Sequence, residues 1–338
     1  MKKILKNKKI VVTGADGFIG SHLVESLVKK GCKITALSMY NSFNTWGWLD
    51  RIEKRVLDKI NVVSGDVRDR RCVEQICKNS DYIFHLASLI AIPHSYDSPY
   101  SYLETNVLGT LNILEYCRQH SVKRLVHTST SEVYGEYKNI PISELTPQIA
   151  KSPYSATKIA ADQLAYSYYK TYGIPLSIVR PFNTYGPRQS NRAIIPTIIT
   201  QIASNKKNIN LGSLYPTRDF TYISDTVNGF IKIAEETETI GEIINIGSGH
   251  EISIEDLVKT IKKIMKSDIE VKEDKARIRP RDGEVNRLRA DNKKAKKISG
   301  WEPVYKGSRG LEKGLKETVE WFTNLDNLKA YKSSLYNK

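Results

Sequence analysis

The sequence predicts an α/β fold, a doubly wound parallel sheet with a smaller lobe toward the C-terminus. Short β-branched runs alternate with longer amphipathic patterns through the first half of the chain, as they do in βαβ units. A glycine-rich turn joins the first of these runs to the first helical pattern. After Pro181 the alternation gives way to loops rich in Pro, Gly, Asn and Arg, which indicates a second lobe.

The predicted sheet has six parallel strands with helical crossovers. The strands lie at Lys9–Thr13, Lys33–Leu37, Ile60–Ser64, Tyr82–Leu86, Arg124–Thr128 and Leu176–Val179. The clearest helical patterns between them lie at Ser21–Lys30, Val107–His120 and Ser155–Tyr172. Gly31 and Gly173 follow two of these patterns, at a place where glycine commonly ends a helix.

The turn after the first strand predicts a dinucleotide site. Gly14, Gly17 and Gly20, with Asp16, Phe18 and Ile19 between them, follow a strand and open a helix. Glycines at this spacing let backbone N–H groups approach a pyrophosphate and let the helix pack closely on the strand. Two further predicted strand ends suit the same ligand: Asp66-Val67 for the adenine, and Leu86-Ala87-Ser88 for the second half of the cofactor. The domain is therefore of the Rossmann type.

The end of the second strand bears on the choice between NAD and NADP. An acidic residue there would bind the ribose 2′-hydroxyl of NAD. The chain instead has a segment from Ser38 through Asn41 to Ser42, without a carboxylate or an arginine. Neutral hydroxyl and amide groups tolerate a 2′-phosphate better than a carboxylate does. The sequence therefore favours NADP and leaves NAD open.

The later part of the chain predicts an annex over the carboxyl edge of the sheet, where ligands of such folds bind. Its predicted elements are a strand at Glu242–Ile246 and helices at Ile194–Ser204, Ser224–Glu236, Ser253–Met265 and Gly310–Phe322. We assign residues 1–182 and 219–247 to the dinucleotide-binding domain, and residues 183–218 and 248–330 to a substrate lobe.

Composition indicates a soluble globular protein. Of 338 residues, 40% are hydrophobic and 26% charged, and the net charge is +15. The lysines are scattered, so we favour a basic surface that attracts a diphosphate over a nucleic-acid partner. The 4 cysteines lack CxxC spacing and a metal-ligand pattern, which predicts free thiols and no metal site. Without an apolar run long enough to span a bilayer, we expect a cytoplasmic protein with no membrane partner.

Tyr154 and Lys158 form a candidate catalytic pair. Their spacing places a phenol and an ammonium one helical turn apart on one face of a helix. A nearby cation favours phenolate, so we expect Lys158 to lower the pKa of Tyr154 toward the range of a general base. Such pairs also arise by chance on many helices, but this one follows a strand and a loop in a chain with a dinucleotide turn.

Several motifs together resemble one family, the extended short-chain dehydrogenases/reductases, and within it the nucleotide-sugar epimerases and dehydratases. The glycine turn, the Tyr154–Lys158 pair and the segment Thr128–Gly135 carry the resemblance in the first half. Further matching segments lie at 180–188, 218–225, 279–281 and 300–303. The resemblance covers nearly the whole chain and implies a tightly held NAD or NADP that takes a hydride from the sugar C4 and later returns one.

The resemblance also implies residue roles. Tyr154 is expected to be the base for the C4 hydroxyl, Lys158 to orient the nicotinamide ribose, and Thr130 to bind near the C4 oxygen. The remaining assignments are Asn106 and Thr128 to the cofactor, and Asn183, Arg192, Leu211, Arg218, Arg279 and Arg281 to the substrate and its diphosphate. Guanidinium groups suit phosphates, although each arginine could instead form a surface ion pair; we favour the phosphate role for Arg218 more than for Arg279 and Arg281.

Glu132 suggests which reaction follows C4 oxidation. A carboxylate beside the oxidised sugar can remove the acidified C5 proton, the step that begins loss of water across C5–C6. The resemblance at Glu132 thus favours a nucleotide-sugar 4,6-dehydratase acting on UDP- or GDP-N-acetylglucosamine. Some dehydratases carry an Asp just before this Glu as the acid, whereas this chain has Ser131, as GDP-mannose 4,6-dehydratases do. Glu132, Tyr154 or a water held by Ser131 remain candidates for the acid.

Other members of the group stay open as alternatives. UDP-glucuronate decarboxylases resemble Thr130-Ser131-Glu132 as well, and C4 epimerases resemble the chain elsewhere. The loop Tyr40–Leu49 resembles enzymes of legionaminic-acid-type pathways, and Leu211–Leu214 resembles GDP-sugar enzymes. A non-enzymatic dinucleotide-binding protein would typically lack the tyrosine. In this family two helices, here matching Val107–His120 and Ser155–Tyr172, pair with their copies, so we expect a homodimer, with a tetramer left open.

Overall fold

The computed structural model describes residues 4–278 and 283–332, and its largest element is a seven-stranded parallel sheet. The strands of the chain are β1 Lys9–Thr13, β2 Lys33–Met39, β3 Ile60–Gly65, β4 Tyr82–His85, β5 Arg124–Thr128, β6 Leu176–Pro181, β7 Asn183–Tyr185, β8 Asn208–Leu211, β9 Thr217–Tyr222, β10 Ile243–Ile246, β11 Glu251–Ser253, β12 Glu270–Glu273 and β13 Arg287–Leu288. The main sheet has the order β3-β2-β1-β4-β5-β6-β10. This confirms the predicted fold class.

Helices cover the sheet. They are α1 Phe18–Lys29, α2 Lys54–Leu57, α3 Arg70–Cys77, α4 Ile92–Asp97, α5 Pro99–Tyr102, α6 Gly109–Gln119, α7 Pro153–Tyr172, α8 Ile194–Ala203, α9 Ile223–Glu235, α10 Ile254–Met265, α11 Lys293–Ser299, α12 Gly307–Thr323 and α13 Leu325–Leu328. Short 3₁₀ turns lie at Gly47–Arg51, Ser131–Tyr134, Thr237–Thr239 and Lys275–Arg277. No helix of the described ranges is both long and apolar enough to cross a membrane.

The prediction of six strands in the sheet is one strand short. The seventh is β10, which pairs in parallel with β6, so that Ile243 lies opposite Ile178. A strand was predicted at Glu242–Ile246, but more than one element separates it from β6 along the chain. Sequence periodicity identifies a strand without identifying its neighbour, and for this reason the pairing was missed.

Two helix starts also differ from the prediction. α1 begins at Phe18 rather than Ser21, because the glycine turn leads into the helix without an intervening loop. The pattern predicted at Val107–His120 splits into a π-helical segment, Leu103–Leu108, and α6. Wider turns of this kind are rare and frequently lie at functional sites.

The helix α7 begins with a capping box. Ser152 Oγ accepts a hydrogen bond from the Ser155 amide at 3.1 Å, and the Ser155 hydroxyl accepts one from the Ser152 amide at 3.0 Å. Pro153 occupies the first turn, where a missing N–H costs nothing. Gly173, at φ +67°, ends the helix in the left-handed region. Both ends are therefore fixed by local chemistry, and Tyr154 lies in the first turn.

The hydrophobic core has two main parts. One includes Leu23, Val126, Phe230 and Trp301 and joins α1, α9 and the second lobe to the sheet. The other includes Val11, Ile83, Ile113 and Leu176 and joins α3, α6 and α7 to the sheet. Strands buried on both faces explain the continuous apolar runs of β4 and β6.

The second lobe has small sheets of its own. In one, β9 pairs with β7, β11 and β13, and in another β8 pairs with β12. Asp219 on β9 accepts hydrogen bonds from the amides of Ser248, Gly249 and Ala290, which holds these segments together. The proposed division into residues 1–182 with 219–247, and 183–218 with 248–330, stays a prediction.

Candidate active site

The glycine turn between β1 and α1 is built for close backbone approach. Gly14 has φ +65°, and a Cβ atom there would lie 2.8 Å from the Ala87 amide nitrogen. At Gly20 a Cβ atom would lie 2.1 Å from the Gly14 carbonyl oxygen. Gly17, at the start of α1, makes no side-chain cap hydrogen bond, as suits a helix N-terminus that binds a phosphate. This geometry fits the pyrophosphate of a dinucleotide.

The end of β2 lies against the glycine turn. Asp16 Oδ2 accepts a hydrogen bond from the Met39 amide at 3.2 Å, and burial raises the pKa of this carboxyl group. Ser38 is fully buried, and within the described residues its hydroxyl has no hydrogen-bond partner. Asn41 donates to the carbonyls of Met39 and Thr45. Ser42 is exposed, so of the predicted cofactor residues in this segment it is the freest to meet a ligand.

The ends of β3 and β4 complete the expected cofactor groove. Asp66 pairs with Arg68; burial would raise the pKa of Asp66, but the hydrogen bonds and charge of Arg68 lower it. Val67 is buried. The amides of Leu86 and Ala87 both donate to Thr13 Oγ1 at 3.1 Å, which fixes the loop after β4 beside the glycine turn. Phe18 and Ile19 are half-buried on the first turn of α1.

Lys158 lies in the interior beside the end of β5. Its ammonium donates to the Thr128 carbonyl at 2.7 Å, while the Thr128 hydroxyl is buried without a partner in the described part of the chain. Burial lowers the pKa of Lys158 to about 8, and the charge of Asp162 partly opposes this. The ammonium is thus held next to the expected cofactor ribose by a single strong hydrogen bond.

Tyr154 is buried and meets two of the other predicted catalytic residues. The Thr130 side chain hydrogen-bonds to its phenol, and the negative charge of Glu132 acts on it. The pKa of Tyr154 is raised, chiefly by burial and further by Glu132, and the Thr130 hydrogen bond offsets only part of this. Burial thus dominates this pKa, and the expected lowering of the pKa by Lys158 stays a prediction.

Shortly after β5, Thr130 caps the 3₁₀ turn Ser131–Tyr134, which contains Ser131 and Glu132. Thr130 Oγ1 accepts a hydrogen bond from the Glu132 amide at 3.2 Å, which caps the turn. Ser131 is buried, whereas Glu132 is half-buried. Because Thr130 contacts the phenol as well, one side chain fixes both the turn and the tyrosine.

A buried charge network adjoins this site, and sequence reasoning missed it. Asp162 accepts from Arg180 at 2.9 Å and from Ser129 at 2.8 Å, and His127 Nε2 lies 3.3 Å from its other oxygen. Arg180 also donates to the Tyr134 hydroxyl at 3.0 Å. Burial would raise the pKa of Asp162, but its partners, among them His127 and Arg180, lower it. The sequence feature that could have revealed this network is the position of Asp162, one helical turn after Lys158.

The predicted substrate residues have different environments. Asn183 has a buried side-chain nitrogen without a partner in the described ranges, as an unfilled ligand contact would. Arg192 is exposed, and its charge acts on Tyr102, whose ring centroid lies 6.2 Å from that of Tyr154. Arg192 is thus linked to the catalytic tyrosine only through Tyr102.

The other substrate candidates are less accessible. Leu211 is buried in β8, and its carbonyl accepts a hydrogen bond from the Asp274 amide at 2.7 Å. Arg218 is buried and forms an ion pair with Glu284 at 2.9 Å, a partner that the sequence did not suggest. Arg279 and Arg281 lie outside the described residues.

Comparison with known proteins identifies the family. A sequence profile of the family described as GDP-mannose 4,6 dehydratase matches residues 11–314. The chain belongs to this family. It is an enzyme of the NAD-dependent epimerase/dehydratase family.

Relatives of this chain are named for different activities. A putative UDP-glucose 4-epimerase of Methanocaldococcus jannaschii is 32% identical over 93% of this chain and 98% of its own length. UDP-glucuronic acid decarboxylase 1 of Xenopus tropicalis is 31% identical over 93% of this chain and 72% of its own. A dTDP-glucose 4,6-dehydratase of Mycolicibacterium smegmatis is 31% identical over 93% of both chains. Overall identity does not separate the three reactions.

Solved structures of the family place its ligands in this fold. A UDP-glucuronic acid 4-epimerase from Bacillus cereus, in complex with UDP-glucuronic acid and NAD, has a TM-score of 0.84 at 28% identity over 96% of this chain and 100% of its own. The dTDP-glucose 4,6-dehydratase DesIV from Streptomyces venezuelae, with NAD and TYD bound, has a TM-score of 0.82 at 27% identity over 96% of this chain and 99% of its own.

Proposed function

We propose that the chain is a nucleotide-sugar 4,6-dehydratase that converts UDP- or GDP-N-acetylglucosamine to the 4-keto-6-deoxy sugar. One observation carries this: Glu132 is half-buried in the turn after β5 and acts electrostatically on the Tyr154 phenol. A carboxylate in this place suits a reaction that needs a base beyond the tyrosine. Loss of water across C5–C6 is such a reaction.

The steps assign the proton transfers to two residues, Tyr154 and Glu132. Tyr154 takes the proton of the C4 hydroxyl, and Glu132 removes the C5 proton once C4 is a ketone. The C6 hydroxyl takes up a proton and departs as water, leaving a C5–C6 double bond. A hydride then adds at C6, and the proton that Tyr154 took from the C4 hydroxyl is delivered to C5, which restores Tyr154 for the next turnover. When bound, the oxidised dinucleotide supplies a cationic ring that favours the Tyr154 phenolate, accepts the C4 hydride and returns it to C6. Overall one water is lost.

The acid that protonates the departing C6 hydroxyl remains among three candidates. Ser131, at the position where some dehydratases have Asp, is buried and cannot itself be an acid near neutral pH. Glu132 carries the C5 proton after the preceding step and is half-buried, so we favour it as the donor. Returning that proton to the leaving hydroxyl also restores the carboxylate for the next turnover.

The substrate proposal rests partly on the loop 40–49, which has the legionaminic-acid-type resemblance. Trp48 packs against Trp321 and Tyr331 with ring centroids 5.7 Å away from each, so packing alone accounts for Trp48. Phe43 is exposed and has no such explanation. The identity of the sugar therefore depends on a substrate panel rather than on this loop.

The choice of cofactor is also part of the proposal. Residues 38–45 contain no carboxylate, which supports NADP. The next carboxylate along the chain, Asp50, already accepts hydrogen bonds from the Thr45 hydroxyl and the Trp46 amide. Asp16 weighs against it, because its carboxylate is bonded to the Met39 amide at the end of β2 and would repel a 2′-phosphate. Titration of the protein with NAD and with NADP decides between them.

We further propose a cytoplasmic homodimer. Supporting this, Leu103 and Leu108 of the π-helical segment and Tyr166 and Tyr172 of α7 are exposed, and the two elements pack against each other. Exposed apolar groups on adjoining helices are typical of a protein interface. The other expected partner is the nucleotide-sugar substrate, whose diphosphate is attracted by the net charge of +15.

The experiment that tests the proposed function is Glu132→Gln with UDP- and GDP-N-acetylglucosamine. We expect overall turnover to fall about 10²-fold or more, while C4 oxidation continues and reduced cofactor accumulates. Product is followed as the 4-keto-6-deoxy sugar by mass spectrometry. Normal release of this product by Glu132→Gln would show that Glu132 is not the C5 base.

Tyr154→Phe is the matched control, because it removes the base for C4 without touching the turn. We expect it to abolish cofactor reduction altogether.

A C4-epimerised sugar of unchanged mass from the wild-type protein would point to an epimerase, and CO₂ released from a UDP-uronic acid would point to a decarboxylase.

A further inference from the structure

Asn106 lies on the π-helical segment and uses its entire hydrogen-bonding capacity within the protein. Its Oδ1 accepts from the Ser88 hydroxyl and from the Leu89 amide, both at 2.8 Å. Its Nδ2 donates to the Leu89 carbonyl at 3.0 Å and to Thr157 Oγ1 at 3.1 Å. A side-chain amide offers two acceptor and two donor positions, and all four are occupied. With 1% exposure, Asn106 has no group left for a cofactor.

Thr157 connects this amide to the catalytic tyrosine. It lies between Tyr154 and Lys158 on α7, and its hydroxyl donates to the Tyr154 carbonyl at 2.8 Å. The same hydroxyl oxygen accepts from Asn106, so the bonds run in one direction from Asn106 to Tyr154. Ser88 and Leu89 follow β4 at the expected nicotinamide end of the groove. Asn106 therefore joins the cofactor side of the site to the catalytic side.

The same residue is anchored on its other side to the glycine turn. Thr13 Oγ1 accepts two amide hydrogens, so its own proton goes to His85 Nδ1, 2.8 Å away. His85 is then protonated on Nε2, which donates to Thr110 Oγ1 at 3.1 Å, and Thr110 donates to the Asn106 carbonyl at 2.7 Å. Burial lowers the pKa of His85, which keeps the ring neutral as this pattern requires.

We propose that Asn106 is a positioning residue. From its place on the π-helical segment it sets, through Thr157, the distance between Tyr154 and the loop after β4 that contains Ser88 and Leu89. The wider π turn brings the amide to this point, between β4 and α7. The sequence predicted that Asn106 binds the cofactor, and the proposal gives its side chain a positioning role instead. It rests on the role of Tyr154 in C4 oxidation, a step shared by dehydratases, epimerases and decarboxylases, and not on the elimination step.

The test is Thr157→Val, which keeps the shape of the side chain and removes both hydrogen bonds. Cofactor reduction is measured in a single turnover with UDP-N-acetylglucosamine, GDP-N-acetylglucosamine and UDP-glucose, and the Kd of NAD and NADP by fluorescence titration. We expect reduction about tenfold slower or more, with each Kd within about twofold of wild type, because small misplacements of reacting groups slow chemistry strongly. Thr157→Ser should restore the rate.

Thr318→Val is the matched control. Thr318 is also a buried helical threonine that donates to a carbonyl in its own helix, here Gly314 at 2.6 Å, but it lies on α12. It should reduce cofactor at the wild-type rate. Equal slowing by Thr318→Val and Thr157→Val would overturn the proposal, since the effect would then follow from any buried threonine.

Asn106→Ala completes a double-mutant cycle with Thr157→Val. If the two residues act as one unit, the double variant is slowed little more than the slower single variant. A wild-type rate for Thr157→Val overturns the proposal. The proposal is also overturned if Asn106→Ala raises the Kd of the cofactor more than tenfold and the rate reductions of the two single variants multiply in the double variant. Asn106 would then be a direct cofactor ligand. Failure of the dehydratase proposal would change the product and leave these rates and Kd values intact.

Discussion

Tyr154 acts in an environment that opposes its ionisation. Burial raises the pKa of its phenol, and the charge of Glu132 raises it further, whereas the Thr130 hydrogen bond lowers it. A base must lose its proton before it can accept one. The rate of C4 oxidation is therefore expected to rise with pH up to the pKa of Tyr154 in the loaded enzyme.

Two variants should move this pH profile in opposite directions. Glu132→Gln removes a negative charge that disfavours phenolate, so the pKa of Tyr154 falls and the rising limb moves to lower pH. Thr130→Val removes the hydrogen bond that favours phenolate, so the limb moves to higher pH. Both are read from the rate of cofactor reduction between pH 6 and about 10. Shifts of the same sign in both variants would contradict the assigned contacts.

Sequence reasoning identified the residues of the site better than their environments. Thr130, Glu132, Tyr154 and Lys158 were predicted from motifs, and the structure brings Thr130, Glu132 and Tyr154 into contact or electrostatic range. The direction of the Tyr154 pKa could not be predicted, because it depends on burial by elements distant in sequence. For the same reason the Arg218–Glu284 pair, whose members are 66 positions apart in the sequence, was missed.

At the scale of elements, the start of α7 decides where the catalytic tyrosine lies. Tyr154 is the second residue of this helix, directly after the Ser152 cap and Pro153. Any fraying of the first turn would move the phenol itself. Helix start signals in the sequence predicted α7 within two residues, because capping chemistry is local.

Ser152→Ala tests this dependence. Loss of the cap should lower the free energy of unfolding by about 1 kcal/mol and should reduce kcat more than it raises KM. Urea denaturation and steady-state kinetics measure the two effects. Ser152→Asp, which keeps a capping oxygen, is the control and should retain both. A destabilised Ser152→Ala protein with unchanged kcat would mean that Tyr154 is held by its own contacts.

The elements that sequence could not place share one physical feature. The seventh strand joins the sheet through pairing with β6, and the π-helical segment depends on the contacts of Asn106 with Ser88, Leu89 and Thr157. Both result from tertiary contacts rather than from local propensity. By contrast, the glycine turn and the strands β1 to β5 follow from local patterns and were predicted.

At the scale of the whole molecule, the proposed dimer gives a clear prediction. Leu108 is 47% exposed on the π-helical segment, and a charge there would be buried without a partner in a helix-paired dimer. Leu108→Glu should therefore yield a monomer by light scattering after size-exclusion chromatography. Val304→Glu, at a side chain that is 74% exposed elsewhere, is the control and should keep the wild-type mass. A dimer that survives Leu108→Glu uses another surface.

The packing of Trp48 has a consequence for the order of folding. Trp48 and Arg51 follow β2, yet they contact Trp321, Asp326 and Tyr331, and the Arg51–Asp326 bond spans 275 residues. Closing so large a loop is slow compared with forming a local βαβ unit. The glycine turn can therefore form early, while the packing of Trp48 and Arg51 next to Asp16 is completed among the last steps. In refolding, the tryptophan fluorescence of this cluster should recover after the helical circular dichroism signal.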